Sequence, residues 1–121
     1  HVKDMAVAPY EKGFQLSEVP LGEGCLALKH IVDTCKKHNP TITFNLEMIT
    51  RNPLLIPCLT PGYWSTLQQV PASELAAMLT WVNAKKEKLP NISSLKPETL
   101  LAKEEYNVLT SLSYSKENLN L

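Results

Sequence analysis

One arrangement constrains the fold of this chain most: an amphipathic helix followed almost at once by an alternating strand. Between residues 28 and 35, apolar side chains recur at the i, i+3, i+4 and i+7 spacing of a helical face, and Pro40 marks where that helix must have ended. Residues 41–48 then alternate between apolar and polar, as a half-buried strand does. A strand candidate over residues 1–5 precedes the helix. This order of strand, loop, helix and strand predicts a parallel βαβ unit with a right-handed crossover.

The rest of the sequence alternates irregular stretches with helices. Residues 6–24 carry prolines and glycines and are predicted to form a long loop, and a second proline-rich loop is predicted over residues 50–64. Another amphipathic helix is predicted after Pro71, and a last helix from Pro97. The apolar stripes of these two helices contain Leu75, Met78, Leu79 and Val82 in the first, and Leu101, Val108, Leu112 and Leu119 in the second.

Two parallel strands do not make a stable sheet by themselves, because a parallel sheet needs more strands and cover on both faces. The chain also starts on a strand residue, His1, rather than on a methionine. We therefore expect residues 1–121 to be a piece of a longer protein. Because its sheet edges and apolar surfaces would lack their neighbours, we expect the isolated piece to associate or to be partly disordered.

Charge and composition exclude several classes of partner. Twelve basic residues balance twelve acidic ones, so the sequence has no basic stripe for nucleic acid and no excess charge for an anionic membrane surface. No apolar run approaches the about 20 residues that span a bilayer. Three cysteines, Cys25, Cys35 and Cys58, form no C-x-x-C pair and leave one thiol unpaired in any disulfide scheme. This cysteine usage favours a reducing, cytoplasmic compartment.

Polar residues at the ends of the two predicted parallel strands are the candidates for chemistry. By two-residue alternation, His1 and Lys3 share one strand face, and Glu47 lies on the polar face of the other strand, at its end. In parallel βα proteins such strand ends form the functional face. An imidazole and a carboxylate from neighbouring strands can hold one divalent metal ion. The alternative is an open sheet whose polar face meets water, which would make both of them ordinary surface residues.

Arg51 is the sole arginine of the sequence and stands just past Glu47, where the chain leaves the predicted strand. Its planar guanidinium suits a carboxylate, a phosphate or a sugar diol, or else an ion pair that fixes the loop. Lys3 can likewise neutralise an enediolate or bridge to Glu47. Glu23 is flanked by glycines that let the backbone pass close to the site, and we expect this segment to serve loop geometry.

Three motifs in a fixed order carry a resemblance to a known family. They are HVKDM at residues 1–5, EVPLGEGCL at residues 18–26 and FNLEMITRNPLLIPCLTPGYW at residues 44–64. Together they resemble the C-terminal part of the sugar phosphate isomerase/epimerase family, the xylose-isomerase-like TIM barrels. The resemblance implies an α/β fold in which residues 1–89 are the last two strands and helices of a (β/α)8 barrel. Residues 90–121 would be the C-terminal helical extension of one bacterial branch.

The resemblance also implies roles for individual residues. His1 and Glu47 would be two of the four ligands of a divalent metal ion, Mn, Mg, Co or Zn, and the other two ligands would lie on earlier strands. Glu47 would also be the catalytic acid or base that moves a proton beside the carbonyl of an open-chain sugar or sugar phosphate, through a metal-stabilised enediolate. Lys3 and Arg51 are the candidate substrate-binding residues.

The sequence departs from the family pattern at one point and leaves two rival functions. The ketose epimerases of the family carry an arginine a few residues after the histidine, whereas Val7 and its neighbours offer none. One rival is a phosphodiester hydrolase like the AP endonucleases of the same superfamily, although the neutral charge argues against DNA binding. The other is a non-catalytic binding domain that has kept the fold. Residues 1–121 alone are expected to be inactive, to bind metal weakly, and to associate with the missing barrel portion or with a second copy.

Overall fold

A computed structural model describes residues 1–65, 70–85 and 88–121. The elements follow one another as a hairpin, a helix, a short strand and three further helices, the last of which continues into a π-helical turn. The strands are β1 (Asp4–Tyr10), β2 (Gly13–Val19) and β3 (Leu54–Ile56); the helices are α1 (Leu28–His38), α2 (Pro61–Trp64), α3 (Ala72–Asn83) and α4 (Pro97–Tyr114), with the π-helical turn over Ser115–Leu119.

Strands β1 and β2 form an antiparallel hairpin, and the long loop predicted over residues 6–24 is wrong for most of its length. The register runs from Asp4 opposite Val19 to Tyr10 opposite Gly13, which leaves a two-residue turn. Gly13 has a φ of 151°, a conformation that suits glycine at the end of such a turn. Prolines and glycines favour a loop in this stretch, whereas Pro9 is tolerated in a strand at the edge of the sheet.

Strand β3 extends this hairpin into a three-stranded antiparallel sheet with the order β1-β2-β3. Leu54 pairs with Leu16, and Ile56 pairs with Phe14. The second predicted loop therefore contains a short strand. Prolines at positions 53 and 57 confine that strand to three residues, because proline cannot donate a ladder hydrogen bond.

The two segments that were predicted to be parallel neighbours do lie side by side, but they meet at one residue pair. Val2 and Leu46 form an isolated parallel bridge, in which the Val2 amide donates to Asn45 and the Glu47 amide donates to Val2, at 2.8 and 2.9 Å. The predicted continuous strand over residues 41–48 is wrong, since only Leu46 within it has a bridge partner. The barrel stays a prediction, because a small antiparallel sheet with helices is compatible both with a piece of a barrel and with other α/β folds.

Helix α1 confirms the predicted amphipathic helix and supplies one side of the core. Its residues Leu28 and Val32 are buried against Leu21 and Leu119, the last residue of the π-helical turn. Four partly buried residues pack on this cluster: Val2, Phe44, Leu46 and Tyr114. Both residues of the parallel bridge therefore face the core, and their immediate neighbours in sequence face away from it.

Helix α4 begins at Pro97 as predicted, but only part of the predicted apolar stripe is buried: Leu119 is buried in the π-helical turn, and Val108 is half-buried. Leu101 and Leu112 are exposed, whereas Asn107 and Ser111 are buried. The Ser111 hydroxyl accepts a hydrogen bond from the Leu21 amide and donates one to the Asn107 carbonyl. The helix is thus attached by these polar contacts as well as by Tyr114, which packs on the core cluster. A search for apolar periodicity does not detect the polar contacts.

Helix α3 confirms the second predicted helix, with Val82 of its stripe fully buried and Met78 exposed. Within the described ranges 1–65, 70–85 and 88–121, none of the helices is both long and apolar enough to cross a membrane.

Candidate functional site

The parallel bridge brings three of the four predicted site residues together. His1 and Lys3 flank Val2, and Glu47 follows Leu46, so the alternation that buries the bridge residues turns these three side chains to the same side of the chain. The His1 Nδ1 atom lies 2.9 Å from Glu47 Oε2, although the two residues are 46 positions apart in sequence. The Lys3 ammonium donates to Glu47 Oε1 at 2.6 Å.

Glu47 divides its carboxylate between two partners of different kinds. One oxygen faces an imidazole that is two-thirds exposed, and the other faces an ammonium group that is one-third exposed. The Glu47 side chain itself is 33% exposed, so water and small solutes reach it. Because the partners are side chains rather than backbone groups, either of them can move away when a ligand takes its place.

The neighbouring carboxylates stabilise the protonated form of Lys3. The hydrogen bond to Glu47 is the largest cause that raises the pKa of Lys3 above its ordinary value, and the nearby carboxylate of Glu18 adds to the effect. Lysine is protonated at neutral pH in any case, and the raised pKa extends to higher pH the range in which Lys3 places a positive charge beside one oxygen of Glu47.

Glu18 is a site residue that the sequence analysis missed. Its side chain is 1% exposed and is held by three groups. The Ile49 amide donates to Oε2 at 2.8 Å, the Arg51 guanidinium donates to Oε1 at 3.0 Å, and Lys3 Nζ lies 3.7 Å from the same Oε1. The available signal was the alternation of residues 14–19, which would have placed an acid on an inward face if this stretch had been read as a strand.

The sequence leaves two roles open for Arg51, substrate binding and an ion pair that fixes the loop. In the structure Arg51 forms an ion pair. One guanidinium nitrogen, Nη2, binds Glu18, and the pair connects the segment after Glu47 to strand β2. The Arg51 side chain is 58% exposed, so part of its fork still faces solvent. The substrate-binding role of Arg51 stays a prediction, and so does that of Lys3.

These contacts form a chain of alternating basic and acidic residues, which we call the charge chain: His1, Glu47, Lys3, Glu18 and Arg51 in order of contact. Buried Glu18 is compensated by two cations, as a buried carboxylate requires. The two ends of the charge chain, His1 and Arg51, are its most exposed members, and Glu47 beside His1 is one-third exposed. A ligand from solvent can therefore reach His1 and Glu47 at one end and Arg51 at the other.

Asp4 and the glycine-flanked loop next to it serve the fold. The Asp4 side chain is buried and accepts hydrogen bonds from four backbone amides, those of Met5, Gly22, Gly24 and Leu26. A Cβ atom on Gly24 would lie 2.1 Å from Asp4 Oδ1, so glycine is required for this approach. Glu23 points to α4, where its carboxylate accepts a hydrogen bond from the Tyr106 hydroxyl at 3.2 Å.

The predicted metal ligands fit one half of a metal site. An imidazole nitrogen and a carboxylate oxygen at 2.9 Å are donors that Mn²⁺, Co²⁺ and Zn²⁺ accept, and Mg²⁺ would use the carboxylate. In the part of the chain that the structure describes, no group of three or more His, Cys, Asp or Glu side chains is arranged to hold a metal ion. The Glu18 carboxylate is occupied by its three donors and does not complete the set.

Comparisons with known protein families, with curated proteins and with solved structures find no match for this chain. The function must therefore be argued from the geometry of the charge chain and from the motifs of the sequence. What distinguishes this geometry from an ordinary surface ion pair is that one carboxylate binds both an imidazole and a lysine, with a buried second acid behind them.

Proposed function

We propose that this chain is the C-terminal part of a metal-dependent isomerase or epimerase of sugars or sugar phosphates, built on a TIM barrel. The observation that carries the proposal is the meeting of His1 Nδ1 with Glu47 Oε2 at 2.9 Å, from segments 46 residues apart that lie parallel. These are the two residues of this sequence that the family resemblance assigns to the metal. Parallel neighbours in a barrel bring their strand ends to the same face, where the active site lies.

In this proposal His1 and Glu47 hold the cation, and the remaining ligands come from parts of the protein outside residues 1–121. A bound divalent ion supplies the positive charge that stabilises an enediolate. Glu47 takes the proton from the carbon beside the carbonyl, while the electron pair of the broken C–H bond forms a C=C bond and the carbonyl oxygen becomes negative. Return of the proton to the neighbouring carbon, with transfer of that carbon's hydroxyl proton to the former carbonyl oxygen, gives an isomer. Delivery of a proton to the opposite face of the first carbon, by a second acid outside residues 1–121, gives an epimer.

Lys3 has a defined part in this chemistry. Its ammonium lies against the Glu47 oxygen that does not face His1, and its raised pKa keeps it charged. It therefore holds the Glu47 carboxylate in one orientation and places a positive charge near the oxygen that becomes negative. Arg51 binds the distant end of the substrate with the exposed part of its guanidinium.

The partner in this proposal is a small sugar or sugar phosphate in the cytoplasm, rather than a nucleic acid or a membrane. The exposed leucines of α4, Leu101, Leu109 and Leu112, are the surface on which the rest of the barrel or a second copy would pack. Isolated residues 1–121 are expected to be inactive, because two ligands do not make a four-ligand site.

Solvent isotope exchange tests the proposed reaction directly. The full-length protein, loaded with Mn²⁺ and incubated in D₂O with a panel of ketoses and ketose phosphates, should place deuterium on the carbon beside the carbonyl of its substrate. Removal of the metal with a chelator should stop the exchange, and re-addition should restore it. Cleavage of a DNA duplex with an abasic site, without any isotope exchange in the panel, would instead support a phosphodiester hydrolase and contradict the proposal.

A further inference from the structure

We propose that Glu18 is a positioning residue that controls, through Lys3, how much negative charge Glu47 presents to a cation beside His1. The inference rests on the proposed function, since it concerns the same cation. It assigns a role to a residue that touches neither the cation nor the substrate.

The burial of Glu18 fixes how it can act. With 1% of its side chain exposed, Glu18 cannot contact a ligand that arrives from solvent. Its contacts with Lys3 and Arg51 connect it to the other side chains of the charge chain, and its bond to the Ile49 amide holds it in place. Apart from the direct Coulomb field of its charge, any influence of Glu18 on Glu47 therefore passes through Lys3 or through the backbone after Glu47.

Lys3 is shared between two carboxylates. Its Nζ atom lies 2.6 Å from Glu47 Oε1 and 3.7 Å from Glu18 Oε1. The attraction of Glu18 draws Lys3 away from complete neutralisation of Glu47. If the Glu18 charge is removed, Lys3 is attracted to Glu47 alone. The negative electrostatic potential that Glu47 presents to a cation then becomes weaker.

Arg51 opposes this effect because it competes with Lys3 for the same oxygen. Both cations face Glu18 Oε1, Arg51 at 3.0 Å and Lys3 at 3.7 Å. If Arg51 is replaced by an uncharged side chain, Glu18 attracts Lys3 more strongly, and Glu47 is left more negative. The two substitutions should therefore change cation affinity in opposite directions.

A role that consists only of pinning the loop predicts a different result. The pair between Glu18 and Arg51 ties the segment after Glu47 to β2, and either substitution breaks it. If pinning were the whole function, both variants would loosen Glu47 and both would weaken cation binding. The sign of the Arg51 effect separates the two explanations.

The test is a Mn²⁺ titration of the full-length protein with ¹³C-labelled histidine. Mn²⁺ bound beside His1 broadens the His1 ring signals, while His30 and His38 report on non-specific binding. We expect Glu18→Gln to raise the Mn²⁺ concentration at half-broadening roughly three- to tenfold, and Arg51→Met to lower it roughly two- to fivefold, as expected for one charge at this range in a partly solvated site. Glu11→Gln, which removes an exposed acid in the β1–β2 turn, should leave it unchanged.

A Lys3→Met background shows whether the effect travels through Lys3. There the change caused by Glu18→Gln should shrink to less than half, and an equal change in both backgrounds would overturn the route through Lys3.

Weakening by both Glu18→Gln and Arg51→Met, or no change in either, would overturn the positioning role and leave the proposed cation site intact. Absence of His1 broadening in the unsubstituted protein would overturn the cation site itself and this inference with it. If Glu18→Gln does not fold, Arg51→Met decides: tighter Mn²⁺ binding that shrinks to less than half in the Lys3→Met background supports the proposal, and weaker binding or an equal change in both backgrounds overturns it.

Discussion

Asp4 and Glu47 are two carboxylates with opposite surroundings, and the difference separates a residue that holds the fold from one that is available for chemistry. Asp4 is 1% exposed and accepts hydrogen bonds from four backbone amides. Glu47 is one-third exposed and is bound by two side chains, those of His1 and Lys3. Backbone donors cannot leave without local unfolding, whereas side-chain donors can rotate away. The kind of donor therefore indicates which acid is free to change partners.

The glycine-flanked loop explains why Asp4 is so fully satisfied. Gly22 has a φ of 90°, and Gly24 approaches Asp4 so closely that a side chain would collide with its carboxylate. Two of the four donors come from these glycines. The sequence motif that resembles a site loop thus closes around an internal acid. Glu47 lies next to a single strand bridge, and one-third of its side chain stays accessible to solvent.

The largest expected effect comes from substituting Glu47, the acid that is available for chemistry. If the proposed function holds, Glu47→Gln in the full-length protein keeps size and strand pairing but removes a charge, the proposed metal ligand and the proposed base, so kcat on the sugar substrate should fall by roughly 10²–10⁴-fold or more. Because a partly exposed ion pair contributes little to folding, the free energy of unfolding should change by less than about 1 kcal/mol. Steady-state kinetics and denaturant unfolding measure the two quantities. Turnover close to that of the unsubstituted enzyme would reduce Glu47 to a surface carboxylate.

The second prediction concerns substitution of Asp4, the acid that holds the fold. Asp4→Asn leaves one oxygen to accept from four amides and turns an NH₂ group toward the others, so the free energy of unfolding should fall by about 2–4 kcal/mol. Chemical denaturation measures the loss, and Asp33→Asn is the matched control. Asp33 is more than half exposed and binds Lys29 one helical turn away, so its loss should cost about 0.5 kcal/mol. Equal losses in the two variants would mean that the backbone cage around Asp4 does not stabilise the fold.

The same two acids show how far the sequence could be read. The position of Glu47 beside His1 followed from strand alternation and chain order, which depend on local pattern and on the topology of parallel units. Helices α1, α3 and α4 were also recognisable, because their periodicity or their starting prolines are local signals. The partners of Asp4 were not predicted, since they are amides from residues about 20 positions away that no side-chain pattern marks. Glu18 was missed because the hairpin that buries it was read as a loop.

The smallest expected effect concerns Arg51. Its surroundings are intermediate between those of Asp4 and Glu47, because its side chain is more than half exposed but is bound to a buried acid. Arg51→Lys keeps the charge and the pair with Glu18 but loses the planar fork. If Arg51 binds the substrate as proposed, KM should rise about three- to tenfold while kcat stays nearly constant, as expected for the loss of one hydrogen bond. Arg51→Met removes the charge as well and should raise KM further. Steady-state kinetics on the full-length enzyme separate the two parameters. If kcat falls while KM is unchanged in Arg51→Lys, then Arg51 acts on the transition state through Glu18 and Lys3 rather than by holding the substrate, and its role is closer to that of Glu18 than to that of Glu47.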